Sequence, residues 1–200
     1  TTVSLALLAA LRKRGVAVRA AKSGPDYIDP AFHEAACGRP SPNLDSWAMP
    51  PDLVAAIAAG AAADSEILLI ESSMGLFDGV GTTPERRGAG ADLAQRLNLP
   101  VILVIDVSGQ SQSAAAVAGG FARHAPGVRV AGVILNRVAS ERHRSQVAEA
   151  MAAMDMPVVG VVPRDAKVAI PERHLGLVQA IEHGDLDGLL DQDRKSTRLN

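Results

Sequence analysis

The stretch "VAVRAAKSGPDYIDP", residues 16–30, decides the fold. It opens with the apolar run Val16–Ala21, which predicts a buried β-strand, and continues into a lysine, a Gly-Pro turn and two acids, Asp26 and Asp29. A continuous apolar run, rather than an alternating one, is typical of a strand in a parallel sheet that is covered on both faces. Ligands bind beyond the carboxyl ends of such strands, so the stiff acidic turn is a candidate site.

Apolar runs that predict buried strands recur along the chain. Four more apolar runs predict strands: Ile67–Ile70, Val101–Val107, Val130–Leu135 and Val158–Val162. Helical patterns lie between the strands: Pro51–Ala63, Ala91–Leu97, Ser111–His124 and Ser140–Met154. A further helix is predicted from the first residues of the chain to Gly15, which is its C-terminal stop. Alternating strands and helices imply right-handed crossovers, and we therefore predict an α/β fold with a mostly parallel sheet.

The composition excludes several classes of function. With 200 residues, the chain is long enough for one large domain. Its net charge of −2 gives no electrostatic basis for binding nucleic acid or an anionic membrane. Cys37 is the only cysteine, which rules out an internal disulfide and fits a reducing compartment. No apolar run reaches membrane-spanning length and none has the pattern of a signal peptide, so we expect a cytoplasmic protein.

Polar residues follow every predicted strand. In a parallel sheet the carboxyl ends of the strands lie at one edge, so these side chains are expected to converge there. They are Lys22, Asp26 and Asp29 after the first strand, Glu71 after the second, Asp106 after the third, Asn136 after the fourth, and Arg164 and Asp165, preceded by Pro163, after the fifth. This convergence is stronger evidence for a site than any single motif.

Three oxygen-bearing residues are candidates for a magnesium site. Thr1 could simply cap a helix, but its hydroxyl would be the Mg²⁺ ligand of a P-loop if Gly-Lys preceded it. Asp26 fits an ordinary Gly-Pro-Asp turn. Glu71 directly follows "ILLI", and a carboxylate at the end of a buried strand needs a partner. Mg²⁺ prefers such oxygens, so these three residues are predicted as its ligands. His33 and His174 have no metal-ligand spacing and are candidate substrate contacts.

Other positions suggest contacts with an anionic or planar ligand. Lys22 could anchor an anionic group or remain solvated, and Tyr27, the only tyrosine, could stack on a planar ligand or pack locally. Asp78 lies among the glycines of "ESSMGLFDGVG", which allow close ligand approach or form a mobile loop. A strand-end asparagine such as Asn136 is often a turn former, but its carboxamide could also read adenine.

Four motifs carry a family resemblance. They are "KSGPDYIDPAFHEAACGRPSPNLDSWAM" at 22–49, "ESSMGLFDGV" at 71–80, "GVILNRV" at 132–138 and "PERHLGL" at 171–177. Together, and in this order, they resemble the cobyrinic acid a,c-diamide synthase family of corrin biosynthesis. The resemblance implies a P-loop NTPase-type three-layer sandwich of the dethiobiotin synthetase kind. It also implies an ATP-dependent synthase domain that precedes a glutamine amidotransferase domain.

The resemblance implies a role for each matching position. The nucleotide-binding positions would be Thr1, Thr2, Asn136 and Pro163. The metal ligands would be Thr1, Asp26 and Glu71, and the catalytic residues would be Lys22, Asp26 and Glu71. The substrate-binding positions would be Tyr27, Asp29, Asp45 and Asp78. Asp29 is also the second choice to Asp26 as a metal ligand, and Lys22 and Tyr27 would touch the corrin or its carboxylate.

The implied reaction is an ATP- and Mg²⁺-dependent amidation of the a and c acetate carboxylates of cobyrinic or hydrogenobyrinic acid in cobalamin biosynthesis. It would proceed through an acyl phosphate and use ammonia released from glutamine. Mg²⁺ is thus the expected cofactor, ATP the co-substrate, and the corrin and glutamine the expected partners, and a homodimer is considered. The alternatives are another P-loop ligase, such as cobyric acid synthase or dethiobiotin synthetase, and a non-catalytic nucleotide-binding ATPase.

The two ends of the chain depart from the family pattern. The phosphate-loop glycines and lysine do not precede Thr1, so we expect residues 1–190 to be a synthase domain that lacks its first strand. The polar, patternless residues 191–200 are expected to be a disordered or non-native tail. The glutaminase half would lie outside the chain, and this fragment is expected to be inactive by itself.

Overall fold

The computed structural model describes residues 1–164 and 198–199. The chain divides into two compact units, one formed by Thr1–Leu97 and the other beginning at Asn98. Predictions that concern His174, the motif at 171–177 and most of the 191–200 tail lie outside the described residues. The two units are described in turn.

The first unit has four helices and three strands among its described residues. In chain order they are α1 (Thr2–Lys13), β1 (Val18–Ser23), α2 (Asp29–Cys37), β2 (Asn43–Leu44), α3 (Pro51–Ala62), β3 (Ile67–Glu71) and α4 (Gly90–Arg96). The strands form a parallel sheet in the order β2-β1-β3. The helix α2 and the short strand β2 lie between the first predicted strand and the predicted helix Pro51–Ala63.

The central strand β1 is buried on both of its faces, as its continuous apolar sequence predicts. One face contributes Val18 and Ala20 to a core with Leu8 of α1 and Phe32 of α2. The other face contributes Ala21 to a second core with Leu44 of β2, Val54 of α3 and Leu93 of α4. Burial of both faces fixes the height and rotation of β1, and with them the position of the residues at its carboxyl end.

The register of this sheet places three polar residues side by side. Lys22 of β1 pairs with Asn43 of β2 on one side and with Glu71 of β3 on the other. Because the strands are parallel, all three lie at the carboxyl edge of the sheet, where the convergence of polar residues was predicted.

The second unit contains a four-stranded sheet with two helices. Its elements are β4 (Pro100–Asp106), α5 (Ser113–His124), β5 (Arg129–Val138), α6 (Glu141–Ala152), β6 (Val158–Pro163) and β7 (Arg198–Leu199). The order is β4-β5-β6-β7, with the first three strands parallel and β7 antiparallel to β6. Two residues of the expected tail, Arg198 and Leu199, are thus paired with a strand.

The parallel α/β class is confirmed, but the described strands fall into two sheets. Within its own sheet β4 is an edge strand. Its continuous apolar sequence predicts that both faces are covered, but the described residues cover only one of them. Leu103 and Ile105 are buried, whereas Ile102 and Val104 remain 43% and 48% exposed. Alternate side chains of a strand point to opposite faces, so β4 has one buried face and one exposed apolar face. Among the described residues, no helix combines the length and hydropathy needed to cross a membrane.

Candidate active site

Five side chains form a hydrogen-bonded cluster at the carboxyl end of the three-stranded sheet. We refer to them as the Glu71 cluster: Thr1, Lys22, Asp29, His33 and Glu71. The last four are at most 9% exposed, so this is a buried charged network rather than a set of surface ion pairs. Burial of so many charges is stable only when they are paired.

Local structure explains how these residues meet. Glu71 is the last residue of β3, and Lys22 is its neighbour in register on β1. The Gly-Pro turn then leads to Asp29, the first residue of α2. His33 lies four residues further along α2, and residues at this spacing lie on the same face of a helix. One strand-turn-helix segment thus delivers a lysine, a carboxylate and a histidine to the end of the adjacent strand.

Thr1 joins the two carboxylates. Its Oγ1 lies 2.9 Å from both Asp29 Oδ2 and Glu71 Oε1, and its single hydroxyl proton can donate to either oxygen. Adjacent ligands of an octahedral Mg²⁺ with bonds of about 2.0–2.1 Å are about 2.9 Å apart. A hydroxyl and two carboxylate oxygens at this spacing fit Mg²⁺ in both donor chemistry and separation.

Lys22 balances the charge of the two acids. Its Nζ donates to Asp29 Oδ2 at 2.6 Å, to Glu71 Oε1 at 3.2 Å and to the carbonyl of Ser72 at 3.4 Å. An ammonium has three N–H groups, so these acceptors use its full donor capacity. In this arrangement Lys22 holds the acids in place, and a contact with an anionic substrate would require it to exchange one of these partners.

His33 is completely buried beneath Glu71. Its Nε2 lies 2.6 Å from Glu71 Oε2, and its Nδ1 lies 3.3 Å from Ser41 Oγ. An ionised carboxylate only accepts hydrogen bonds, so Nε2 carries a proton and donates it to Glu71. The two oxygens of Glu71 therefore have different partners: Oε2 contacts the histidine, whereas Oε1 contacts Thr1 and Lys22.

The Glu71 carboxyl has a strongly perturbed pKa. Burial raises the pKa of Glu71, but the hydrogen bond from His33 and the positive charge of Lys22 outweigh that effect. The net result is a pKa well below the ordinary value of 4.5, so Glu71 is ionised throughout the neutral range. An ionised carboxylate is the form that binds a cation.

Asp26 and Tyr27 lie in the turn that precedes α2. Asp26 Oδ1 accepts from the backbone N–H groups of Ile28 at 2.9 Å and of Asp29 at 3.3 Å, which is the geometry of an Asx turn. The contacts therefore join Asp29 to Thr1 and Lys22, which both contact Glu71, while Asp26 supports the turn that positions Asp29. Tyr27 is 62% exposed.

The other two predicted substrate residues lie in loops of the same unit. Asp45 Oδ1 accepts from the N–H groups of Trp47 at 2.9 Å and of Ala48 at 3.2 Å, and so it shapes the turn after β2. Asp78 is exposed in the loop after β3, and its N–H donates to the carbonyl of Gly75 at 3.0 Å. A Cβ at Gly75 would lie 2.5 Å from Asp78 Oδ2, so the small residue is needed for this close approach.

A buried acid that sequence reasoning missed organises the loop between β3 and α4, residues 72–89. Asp92 is fully buried in the first turn of α4 and accepts from the side chain and the N–H of Arg87, with distances of 2.7–3.1 Å. It also accepts from the N–H of Ala89 and from Ser46 Oγ, which belongs to the turn after β2. Its place near a predicted helix start was a signal, since acids are favoured there.

The second unit has its own polar strand ends. Asp106 of β4 pairs in register with Asn136 of β5, and Pro163 of β6 pairs with Val138. Asp106 accepts from Ser108 and from Arg137 Nη1 at 3.2 Å, and hydrogen bonding to Ser108 lowers the pKa of the Asp106 carboxyl below its ordinary value. Asn136 and Pro163, which were predicted to bind the nucleotide, thus lie on neighbouring strands at one sheet edge, whereas Thr1 and Thr2 belong to the first unit.

The metal site that the sequence predicts stays a prediction, and so does the identity of its ligands. Within residues 1–164 and 198–199, no three His, Cys, Asp or Glu side chains form a group that could hold a metal ion. Mg²⁺ needs only one or two protein carboxylates and completes its shell with hydroxyl, water and phosphate oxygens. Thr1 with Asp29 and Glu71 meets that requirement, and the contacts of Asp26 leave its predicted ligand role open.

The fold and the polar strand ends define a nucleotide-binding α/β domain of the P-loop NTPase class. Chloroplast FtsY from Physcomitrella patens shares the fold at 19% identity, with a TM-score of 0.54 over 96% of this chain and 61% of that protein. The signal recognition particle receptor FtsY from Elizabethkingia anophelis, in complex with GDP, gives a TM-score of 0.56 at 15% identity over 100% of this chain and 55% of that one. Residues 1–178 match the CobQ/CobB/MinD/ParA nucleotide binding domain, and the chain belongs to that family.

Curated relatives agree with the resemblance seen in the sequence. The chain is 56% identical to hydrogenobyrinate a,c-diamide synthase of Mesorhizobium japonicum, over 100% of this chain and 46% of that protein. The enzymes of the same name from Agrobacterium fabrum and Rhizobium meliloti are 53% and 56% identical over 96% of this chain and 44% of theirs. The predicted family is thus confirmed, and the chain spans about half the length of the curated relatives it matches.

Proposed function

We propose that this chain is the ATP-dependent amidating part of a hydrogenobyrinate a,c-diamide synthase. The observation that carries the proposal is the convergence of Thr1, Asp29 and Glu71 within 2.9 Å contacts at the strand ends of a nucleotide-binding fold. Identity of 48–56% to enzymes of that name supports the choice of the corrin over other substrates.

The proposed chemistry converts two carboxylates into amides. A carboxylate is a poor electrophile because it is charged and has no good leaving group. The carboxylate oxygen attacks the γ-phosphorus of ATP, and the bond between that phosphorus and the bridging oxygen breaks. ADP is released, and the carboxylate has become an acyl phosphate. Ammonia then attacks the acyl carbon, phosphate departs with the bonding pair, and the loss of a proton gives the amide. Phosphoryl transfer of this kind depends mainly on positioning and charge neutralisation.

The proposed metal ligands are Thr1 and Glu71 together with one acidic residue of the turn. Contacts favour Asp29 for the third position, and the family motif favours Asp26. When bound, Mg²⁺ would neutralise charge on the phosphate oxygens. Lys22 holds the acids at the distance that a cation requires, and its positive charge adds to the stabilisation of phosphate.

The remaining residues are proposed to bind the two substrates. Tyr27 offers an exposed aromatic face beside the turn, and Asp45 and Asp78 shape the loops after β2 and β3. Asn136 is proposed to read adenine and Pro163 to border the nucleotide, because they lie at neighbouring strand ends of the second unit. Ammonia is proposed to come from glutamine, hydrolysed in the part of the protein that the curated relatives have beyond this length. A homodimer in the cytoplasm is the proposed setting.

The experiment uses the protein at the full length of its relatives, with Mg-ATP, glutamine and hydrogenobyrinic acid. Mass spectrometry is expected to show two amidations per corrin, with two ATP consumed. The Glu71→Gln variant is expected to bind the corrin but to lose most of its turnover, since Glu71 acts on the phosphate rather than on the corrin. Unchanged corrin with the wild-type protein would rule out the proposal, and amidation at other side chains would indicate a cobyric acid synthase.

A further inference from the structure

We propose that His33 is a positioning residue that orients the Glu71 carboxylate for cation binding. The inference rests on the proposed function, and it adds a residue whose sequence pattern indicates only a core or substrate-contacting histidine. It follows from three features of the structure: the complete burial of His33, its short bond to one oxygen of Glu71, and the division of partners between the two oxygens of that carboxylate.

The geometry separates the roles of the two Glu71 oxygens. His33 Nε2 donates to Oε2 at 2.6 Å, so that oxygen has a fixed partner on the buried side. Oε1 faces Thr1 Oγ1 at 2.9 Å and Lys22 Nζ at 3.2 Å, on the side where the cation ligands converge. A carboxylate that could rotate freely would exchange these oxygens, whereas the histidine bond keeps Oε1 directed at Thr1.

His33 is itself held by its surroundings. Its ring lies on α2 with Phe32 in the adjoining core, and its Nδ1 faces Ser41 Oγ at 3.3 Å. The serine hydroxyl can donate to Nδ1, which leaves the proton on Nε2 and so selects the tautomer that donates to Glu71. Outer partners of this kind orient metal-binding side chains, and their removal costs about 10- to 100-fold in metal affinity or activity.

A matched pair of substitutions separates the two bonds of His33. In His33→Gln the amide nitrogen lies the same number of bonds from Cβ as Nε2, so the donor to Glu71 is kept and the bond to Ser41 is lost. In His33→Asn the amide nitrogen takes the place of Nδ1, so the bond to Ser41 is kept and the donor to Glu71 is lost. Both variants lose the ring, which makes each the packing control of the other. His124→Gln, at the exposed end of α5, controls for removal of a histidine elsewhere.

The test uses the full-length protein and Mn²⁺ as a probe, measured by its electron paramagnetic resonance signal. We expect His33→Asn to weaken Mn²⁺ binding about 10- to 100-fold, and we expect His33→Gln and His124→Gln to stay close to the wild-type affinity. In amidation assays the loss in His33→Asn should appear in kcat, with the KM for the corrin nearly constant. Equal losses in His33→Gln and His33→Asn would overturn the inference, because they would show that only the ring matters.

A second measurement requires no stable variant. In the wild-type protein labelled with ¹⁵N-histidine, the Nε2–H resonance of His33 should show a strong hydrogen bond to a carboxylate and should shift when Mg²⁺ is added. A His33 signal that is unprotonated at Nε2, or that is insensitive to Mg²⁺, would overturn the inference. These results are distinct from failure of the proposed function, which would appear as unchanged corrin in a protein that binds Mn²⁺ normally.

Discussion

At the residue scale, Glu71 shows how a buried acid is kept ionised. Its desolvation is opposed by the hydrogen bond from His33 and by the charge of Lys22, which together lower its pKa below the ordinary value of 4.5. A carboxyl with a lowered pKa in the folded state stabilises the protein at pH values above its unfolded-state pKa. That stabilisation is lost as the pH falls through the folded-state pKa, because the unfolded chain binds the proton more readily.

The first prediction concerns the pH dependence of stability in the 200-residue chain without divalent cations. At pH 7, Glu71→Gln is expected to lower the free energy of unfolding by about 3 kcal/mol, because it removes one of the two buried counter-charges of Lys22 and the charged acceptor of His33. Below pH 4.5 the difference between the two proteins should shrink as the wild-type loses its advantage. Urea denaturation at several pH values measures this, and a constant difference from pH 7 to pH 3 would contradict it.

The second prediction distinguishes the two acids of the turn. Asp29→Asn should weaken Mn²⁺ binding because it removes a charged oxygen that contacts Thr1, whereas Asp26→Asn retains the carbonyl oxygen that accepts from the turn and should keep both the fold and the affinity. Asp26→Ala, which lacks that oxygen, should cost about 1 kcal/mol of stability. Titration with Mn²⁺ and thermal denaturation measure the two effects. A large affinity loss in Asp26→Asn would identify Asp26 as the ligand.

Sequence reasoning found Lys22, Asp29 and Glu71 because polar residues after an apolar run stand out in a linear pattern, and it found Thr1 from the P-loop pattern at the start of a helix. It did not find the link from His33 to Glu71, since a histidine in the apolar segment "PAFHEAAC" is also consistent with ordinary core packing. The link depends on the register of β1 against β3 and on the angle at which α2 leaves the turn. Neither quantity is contained in local spacing.

At the element scale, strands and helices were predictable where packing agrees with local pattern. The central strand β1 has apolar neighbours on both faces, and its sequence is continuously apolar. The edge strand β4 has an equally apolar sequence but leaves Ile102 and Val104 exposed in the described structure. Sequence alone does not distinguish the two cases, because coverage of a face depends on which elements pack against it and not on the strand itself.

The third prediction concerns the loop of residues 72–89. Asp92→Asn is expected to lower the free energy of unfolding by about 3 kcal/mol, because it removes the charge of a fully buried carboxylate from its ion pair with the partly exposed Arg87 and weakens the bonds to Ala89 and Ser46. Release of the loop should also speed tryptic cleavage after Arg86 and Arg87. Urea denaturation and limited proteolysis, followed by mass spectrometry, measure the two effects.

Asp64→Asn is the matched control for that loop. Asp64 also pairs with arginines, Arg19 and Arg39, but it is 45% exposed, and exposed pairs contribute less than about 1 kcal/mol. It should therefore leave both the stability and the cleavage pattern of residues 72–89 nearly unchanged. Similar behaviour of the two variants would show that Asp92 does not anchor the loop.

At the scale of the whole molecule, the cysteine content bears on where ammonia is made. Glutamine hydrolysis in an amidotransferase needs a reactive, accessible thiolate. Cys37 is the only cysteine of the chain, and it is buried at the end of α2, where its thiol donates to the carbonyl of Arg39. Under the proposed function, we therefore expect that Cys37 is not the nucleophile that hydrolyses glutamine.

The fourth prediction tests this division of labour in the full-length protein. A glutamine analogue that alkylates a nucleophilic cysteine should abolish amidation supported by glutamine and should leave amidation supported by ammonium chloride largely intact. Glu71→Gln should abolish both kinds of amidation, because Glu71 is proposed to act in the phosphoryl transfer, which precedes the attack by ammonia from either source. Cys37→Ala should retain both activities, since that thiol lies buried in the core. Loss of both activities together on alkylation would contradict the prediction, because it would place the reactive thiol within the amidating site itself.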